Sequence, residues 1–455
     1  MTPLQESLVV LGLVLIVARF IKRGSTLLQK FFIPSSLVAG LIGLLLGPQV
    51  LETIPTQVTQ EWATFPKLLI NIVFAGLFLG KVIPDRKKIW RLAGPMIAFG
   101  NTLAWGQYVI GAALTMFVLV PVFNASPLAA SLIEISFEGG HGTAAGLAPT
   151  FEQLGWSEGT DIALTIATFS IVCAILIGVL LVNWHTRHER NHKVKQAELA
   201  RRQKQMIRSG YNLLRLGEKI STNPKAIIIN LIAFAASIGI GWLLWRGFII
   251  AEDAALQSIT GIRFFKYLPM FPLAMIGGLI LQMILRKLGY QTLIQRRTAE
   301  IISAIALDVL IASAVATISL GVLGDKLPII VILSLAGVAW IVFGFFVLAP
   351  LMFKTYWFEK GLTNMGQSMG MTATGLLLQR LSDPSNKSKA KESFAYKQLV
   401  FEPFMGGGIV TASAVIFIHE FGLLPVLIMS SVITAFWLGL GIYLGARHKY
   451  PVQTK

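Results

Sequence analysis

A helix crosses the hydrocarbon core of a bilayer with about 20 mostly apolar residues, and this chain supplies such runs one after another. Apolar residues crowd together near 5–21, 33–50, 65–82, 93–123, 159–183, 225–249, 267–285, 301–323, 327–353, 399–420 and 424–446. The pattern predicts an all-α integral membrane protein with about 11 transmembrane helices. Backbone in lipid has to satisfy its own N–H and C=O groups, which removes most other fold classes. Composition agrees, with 55% hydrophobic and 13% charged residues, against about 25% charged in soluble domains.

The net charge of +17 raises the question of a nucleic-acid partner. The Lys and Arg residues answer it, because they cluster in alternate segments between the apolar runs. Cytoplasmic loops of membrane proteins retain basic residues in that way, so no nucleic acid is expected. Arg23 and Lys30 place the first loop inside, Glu52 and Glu61 lie outside, and Arg86, Lys87, Lys88 and Arg91 return inside. The stretch 184–224 sets many basic residues against only Glu189, Glu198 and Glu218, and reads as a cytoplasmic linker resting on anionic lipid. Arg286, Lys287, Arg296 and Arg297 are also inside, as is the Lys-rich segment from Lys387 to Lys397. The N-terminus is thereby outside and the C-terminus cytoplasmic. Arg19, Lys22 and Arg23 follow the first apolar run, whereas a cleavable signal carries its charge ahead of it. The lone Cys173 excludes a disulfide framework.

The alternation of loops holds only if two further segments enter the membrane and return. Residues 129–151 contain SLIEISFEGGHGTAAGLAPT, and 361–382 contain GLTNMGQSMGMTATGLLLQRL. Both are too rich in Gly, Ser and Thr to face lipid, and irregular backbone at that depth survives only when buried or lining a path. They read as re-entrant hairpins. Ile33-Pro34 opens a Gly-bearing run as Leu268-Pro269 does, and in each half two helices, a hairpin and another helix follow. The expected organisation is an N-terminal repeat (1–183), the basic linker (184–224), an inverted C-terminal repeat (225–422) and an extra C-terminal helix with its tail (423–455). Such repeats with interrupted helices mark secondary transporters.

Glu138-Gly139-Gly140-His141-Gly142-Thr143 is the strongest local signal. Glycines let backbone turn and approach a ligand, and freed helix ends offer N–H groups to anions and carbonyls to cations. The matching stretch in the second hairpin runs from Gln367 through Ser368, Met369, Gly370 and Thr372 to Thr374. Ionisable groups inside the membrane are functional candidates by default. Glu134, Glu138, Asp308 and Glu402 qualify, and Glu402-Pro403 with Gly406-Gly407-Gly408 predicts a further helix break. Glu138, Thr143, Asp308 and Glu402 are the candidates for sodium or proton coupling. His141 reads as a hydrogen-bonded structural residue. No nucleophile motif or metal-ligand spacing accompanies it, so no enzyme and no cofactor are expected.

Ile33-Pro34 with its Gly-rich run, the GGHGT of 139–143 and the Gly/Thr-rich segment Gly366 to Gly375 give the chain its resemblance to the bacterial sodium/glutamate symporter family. The resemblance implies two inverted five-helix repeats with paired hairpins, a homodimer in the bacterial inner membrane, and Na⁺-driven uptake of an acidic amino acid by an elevator-like movement. On that basis, N–H groups at the hairpin tips hold a substrate carboxylate. Thr143, Ser368, Thr372 and Thr374 share the coordination of substrate and Na⁺. One departure stands out, because Glu138 occupies the place of a small residue in the family pattern. A carboxylate there repels an anionic substrate unless a cation or proton neutralises it. A carrier of another carboxylate and a Na⁺/H⁺ antiporter are the alternatives.

Overall fold

The computed structural model describes residues 2–30, 33–188, 224–256 and 264–447, so most of the basic linker lies outside the described residues. Among these residues every regular element is helical. Seven helices among the described residues are long and apolar enough to cross a membrane. In chain order the main helices are α1 (Pro3–Gly24), α2 (Ser35–Leu46), α3 (Thr56–Ala75), α4 (Arg86–Leu114), α5 (Leu132–Phe137), α6 (Gly140–Gly146), α7 (Gly159–His188) and α8 (Pro224–Ala251). There follow α9 (Phe271–Lys287), α10 (Arg296–Ala316), α11 (Leu327–Phe343), α12 (Trp357–Ser368), α13 (Thr372–Ser382), α14 (Ala390–Phe401), α15 (Ile409–Phe421) and α16 (Leu423–Arg447).

Of the predicted spans, 65–82 and 267–285 correspond to helices Thr56–Ala75 and Phe271–Lys287 that are not among the seven, and three others are clipped or broken. The run 33–50 holds a helix of only 12 residues, because Pro34 fixes its start and Gly47-Pro48 its end. The run 301–323 stops at Ala316 and resumes as Leu320–Asp325 after a turn, with Ser319 capping the new helix through its hydroxyl. The run 399–420 is two helices, broken across Glu402–Gly408 as the Pro and three glycines foretell.

Two other irregularities match each other. Past α4 the helix widens into a π-turn at Thr115–Leu119, and past α11 it does so at Gly344–Leu348. A proline follows each, Pro121 and Pro350. Proline has no N–H to give and crowds the carbonyl four residues back, and a widened turn absorbs both defects.

Close approach of small residues assembles the bundle, as in lipid-solvated proteins. α10 packs on α2 and α3, α9 on α3 and α8, and α1 on α2. At the first crossing, a Cβ on Gly40 would lie 2.5 Å from that of Val315, and one on Gly43 2.8 Å from that of Ala316. Arg296 caps the exit of α3, donating to the carbonyls of Gly76, Leu77 and Leu79 at 3.0, 3.0 and 2.9 Å. Gln282 of α9 accepts from the Gly80 N–H beside it at 2.9 Å. The exit of α10 is held in the same manner by Gln49, which bonds the Ile318 carbonyl at 2.8 Å and the Leu320 N–H at 2.9 Å. α16 lies along α4 and turns outward an exposed row, Leu424, Ile428, Val432 and Phe436. Spaced four apart on one helix face, that row is suited to lipid.

Candidate functional site

Both Gly/Thr-rich segments fold as helix, break, helix. In the first, the break falls at Glu138-Gly139 between α5 and α6, and Gly140 takes φ +67°. Left-handed backbone is open to glycine at little cost, which is why this turn needs one. In the second, α12 ends at Ser368 and α13 begins at Thr372, the two packing against each other. The tips adjoin, since a Cβ on Gly140 would lie 3.4 Å from the Gly370 carbonyl oxygen. The third break reaches the same place, with a Cβ on Gly406 falling 3.1 Å from the Glu138 carbonyl oxygen.

Glu138 is buried at this meeting point. Its Oε2 accepts from Nε2 of Gln367 on α12, and Oε1 of Gln367 accepts from Nζ of Lys397 on α14 at 2.6 Å. Lys397 is wholly buried, and its ammonium stands 3.5 Å from the centroid of the Phe401 ring. Gly100 of α4 makes room for it, because a Cβ there would lie 2.9 Å from Nζ. Around this chain of groups, Glu138 Oε1, Ser368 Oγ, Asn364 Oδ1 and Gln107 Oε1 are buried with no hydrogen-bond partner. Gln107 donates to the Ser368 carbonyl at 3.2 Å. Orphaned polar atoms are costly in a low-dielectric interior, so several close to the hairpin tips make this point a candidate site.

A second buried carboxylate fastens the framework. Glu134, one turn before Glu138, accepts from Tyr108 Oη at 2.7 Å, from Thr411 Oγ1 at 2.8 Å and from the Gly406 N–H at 3.1 Å. It ties α5 to α4 and to the third break. Tyr108→Phe is expected to lower stability by about 1–3 kcal/mol, the cost of an unpaired buried acceptor. The thermal midpoint of the purified protein reports it, and an unchanged midpoint would deny the tether its role.

The remaining predicted residues distribute as follows. Thr143 donates to the Gly139 carbonyl at 3.1 Å, closing the first turn of the hairpin. His141 turns to Thr168, with Nε2 2.9 Å from Oγ1. Gly142 faces Leu307 and Ile70. Met369 and Thr374 are buried in the second hairpin, where a Cβ on Gly370 would lie 3.0 Å from Thr374 Oγ1. Thr372 accepts from Gln398 Nε2 at 2.7 Å and reaches Glu402 Oε1 at 3.4 Å, while Lys81 approaches Glu402 Oε2 at 3.4 Å. Glu402 thus stands beside the second tip but apart from Glu138. Asp308 is not brought to the site; it sits partly exposed on α10, 3.5 Å from Arg19. Among the described residues no three His, Cys, Asp or Glu side chains gather as a metal cluster.

Lys397 corrects the sequence reading, which left it at the end of a cytoplasmic Lys-rich loop. Residues 390–401 are helix, and Lys397 lies inside the protein. A signal was present. Phe394 and Phe401 stand three before and four after it, which puts the lysine on the aromatic face of a helix. Gln107, Tyr108 and Asn364 were missed as single polar residues within apolar or Gly-rich stretches.

Comparison with known proteins places the chain in a family. The family model for the sodium/glutamate symporter matches residues 3–377, leaving Lys397 and Glu402 beyond the matched region. A sodium/glutamate symporter of Escherichia coli (strain K12) is 23% identical over 353 residues, covering 77% of this chain and 81% of the relative. That of Haemophilus influenzae is 30% identical over 185 residues, 38% of this chain and 42% of the relative. No solved structure matches. With nearly the whole chain matched and two Gly-rich broken helices meeting at a buried carboxylate, this multi-pass membrane protein belongs to the sodium/glutamate symporter family, whose members are sodium-coupled transporters and not enzymes.

Proposed function

We propose that the chain carries L-glutamate or a related small anion together with Na⁺ across the bacterial inner membrane, with the substrate held where the two hairpin tips meet. The observation that carries this reading is the convergence of Glu138, Gln367, Ser368 and Lys397 from separate broken helices on one buried point with orphaned polar atoms. Hydroxyls and freed carbonyls near Gly139, Thr143 and Gly370 supply hard oxygen donors of the kind that coordinate Na⁺.

Two inverted repeats, each with a re-entrant hairpin, account for the paired features. The π-turns before Pro121 and Pro350 occupy matching positions, and Gln49 and Gln282 hold the exits of α10 and α3 in the same manner. In this reading α2 with α3 correspond to α9 with α10, the N-terminus faces outward and the C-terminus inward. Alternating access is elevator-like and the working unit is a homodimer, as the family resemblance implies. A Na⁺/H⁺ antiporter built on Glu138 and Asp308 loses support, because Asp308 pairs with Arg19 away from the tips.

The driving force suffices. One Na⁺ moving through 100 mV supplies about 2.3 kcal/mol, and a tenfold gradient about 1.4 kcal/mol more. The test is uptake of labelled L-glutamate into proteoliposomes, in which an inward Na⁺ gradient is expected to give accumulation that a sodium ionophore abolishes. Gradient-dependent uptake of hydroxycarboxylates or dicarboxylates in place of glutamate would reassign the substrate. Tight vesicles that accumulate none of these would overturn the reading.

A further inference from the structure

We propose that Glu138 and Lys397 are the two poles of a receptor for the head group of an α-amino acid, and that the Gln367 amide fills that receptor as a placeholder. The proposal rests on the reading of the hairpin tips as the substrate site, and it names what that site requires.

The orientation of the amide is fixed by its neighbours. An ammonium can only donate and a carboxylate only accept, so Oε1 of Gln367 faces Lys397 and Nε2 faces Glu138. The two charges do not form an ion pair; one neutral amide spans them. An α-amino acid presents the same polarity over a similar reach, with an ammonium donor at one end and a carboxylate acceptor at the other. Put in place of the amide, its ammonium takes the Glu138 end and its carboxylate the Lys397 end. Both neutral contacts then become contacts between full charges, the stronger kind.

The orphaned atoms fit the replacement. An amide has two N–H groups and an ammonium three, and Glu138 Oε1 lies buried with no donor. Ser368 Oγ stands beside the same carboxylate, where its hydroxyl can donate to Glu138 while its lone pairs are open to an incoming ammonium. At the other pole, Lys397 has one oxygen acceptor at 2.6 Å and otherwise the rings of Phe401 and Phe394, so an N–H is left for a carboxylate. The aromatic face attracts the ammonium without consuming an oxygen. Glu138 also excludes. A dicarboxylate lacking the amine would set carboxylate against carboxylate, so this site demands the amino group and not merely negative charge.

The experiment compares L-glutamate with glutarate, the same diacid without the amine, as inhibitors of labelled L-glutamate uptake by the full-length protein in proteoliposomes under a Na⁺ gradient. The wild type is expected to prefer L-glutamate by about 10- to 100-fold, the worth of a hydrogen-bonded charge contact. Glu138→Gln should bring the two diacids to within a few-fold of each other. Gln367→Asn retains an amide one methylene too short to span both poles, and should lower KM about 10-fold by removing the internal competitor. A merely structural Gln367 would instead give a higher KM or no uptake. Equal inhibition by glutarate and L-glutamate in the wild type, with uptake still Na⁺-driven, overturns the proposal and leaves the transporter reading intact. A preference for L-glutamate that survives Glu138→Gln overturns it as well. Loss of Na⁺-driven uptake of every amino acid and diacid tested overturns both.

Discussion

Lys397→Met is expected to abolish uptake and to lower stability by about 3–5 kcal/mol, the cost of removing one partner from a buried charged network. Three facts set that magnitude. Lys397 is 0% exposed, the Gln367 carbonyl that accepts from it at 2.6 Å would lose that donor, and the buried Glu138 would have no lysine beyond the amide to oppose a negative charge. The destabilisation should be repaired from the other end. In Glu138→Gln combined with Lys397→Met, no unopposed charge remains, so the thermal midpoint should recover most of its loss while uptake stays absent. Midpoints that simply add across the two single variants would mean that the groups do not sense each other through Gln367.

Gly407→Ala should be comparably severe for a different reason. Gly407 has φ +98°, a backbone conformation that costs a side-chain-bearing residue about 1–3 kcal/mol. Its new Cβ would also lie 2.5 Å from Thr143 Oγ1 and 2.7 Å from Cε1 of Phe74, adding about 1–3 kcal/mol of overpacking. Neither neighbour is free to retreat, because Thr143 is bonded to Gly139 and Phe74 packs on Phe271 at 4.8 Å. Gly155→Ala separates the two causes. Gly155 has φ +74° with open space around its missing Cβ, so it should lose the backbone contribution alone. Equal midpoints for the two variants would show that the packing at Thr143 and Phe74 is looser than these distances require.

Apolar length and Gly/Thr content made the helical membrane class and both broken segments legible in the sequence. The span near 33–50 was not, because summing hydropathy over a run does not register that Pro34 and Gly47-Pro48 clip the helix to 12 residues. In the site, the hairpin residues were legible because glycines clustered inside an apolar run weaken a spanning helix and are tolerated there where the chain breaks or packs closely. Lys397 was not, because loop assignment weighs every lysine as a solvated charge. Only its spacing from Phe394 and Phe401 distinguishes it from Lys387, Lys389 and Lys391. Asp308 shows the converse error. An acid within an apolar run is legible as costly, but whether it meets a substrate or an arginine on a helix distant in sequence is decided by packing.

The fastening of Glu134 has a mechanical consequence. Short bonds from Tyr108, Thr411 and Gly406 converge on one carboxylate, so α4, the first hairpin and the third break are riveted at a common point. None of the three can swing without tearing the others loose, and that corner of the molecule behaves as a single stiff plate. The second tip is held at Thr372 by one short bond from Gln398 Nε2 at 2.7 Å and a longer contact to Glu402 Oε1 at 3.4 Å, in a partly exposed setting. With three ties at the Glu134 corner against two at Thr372, the proposed substrate site has its firmer wall on the side of the first hairpin.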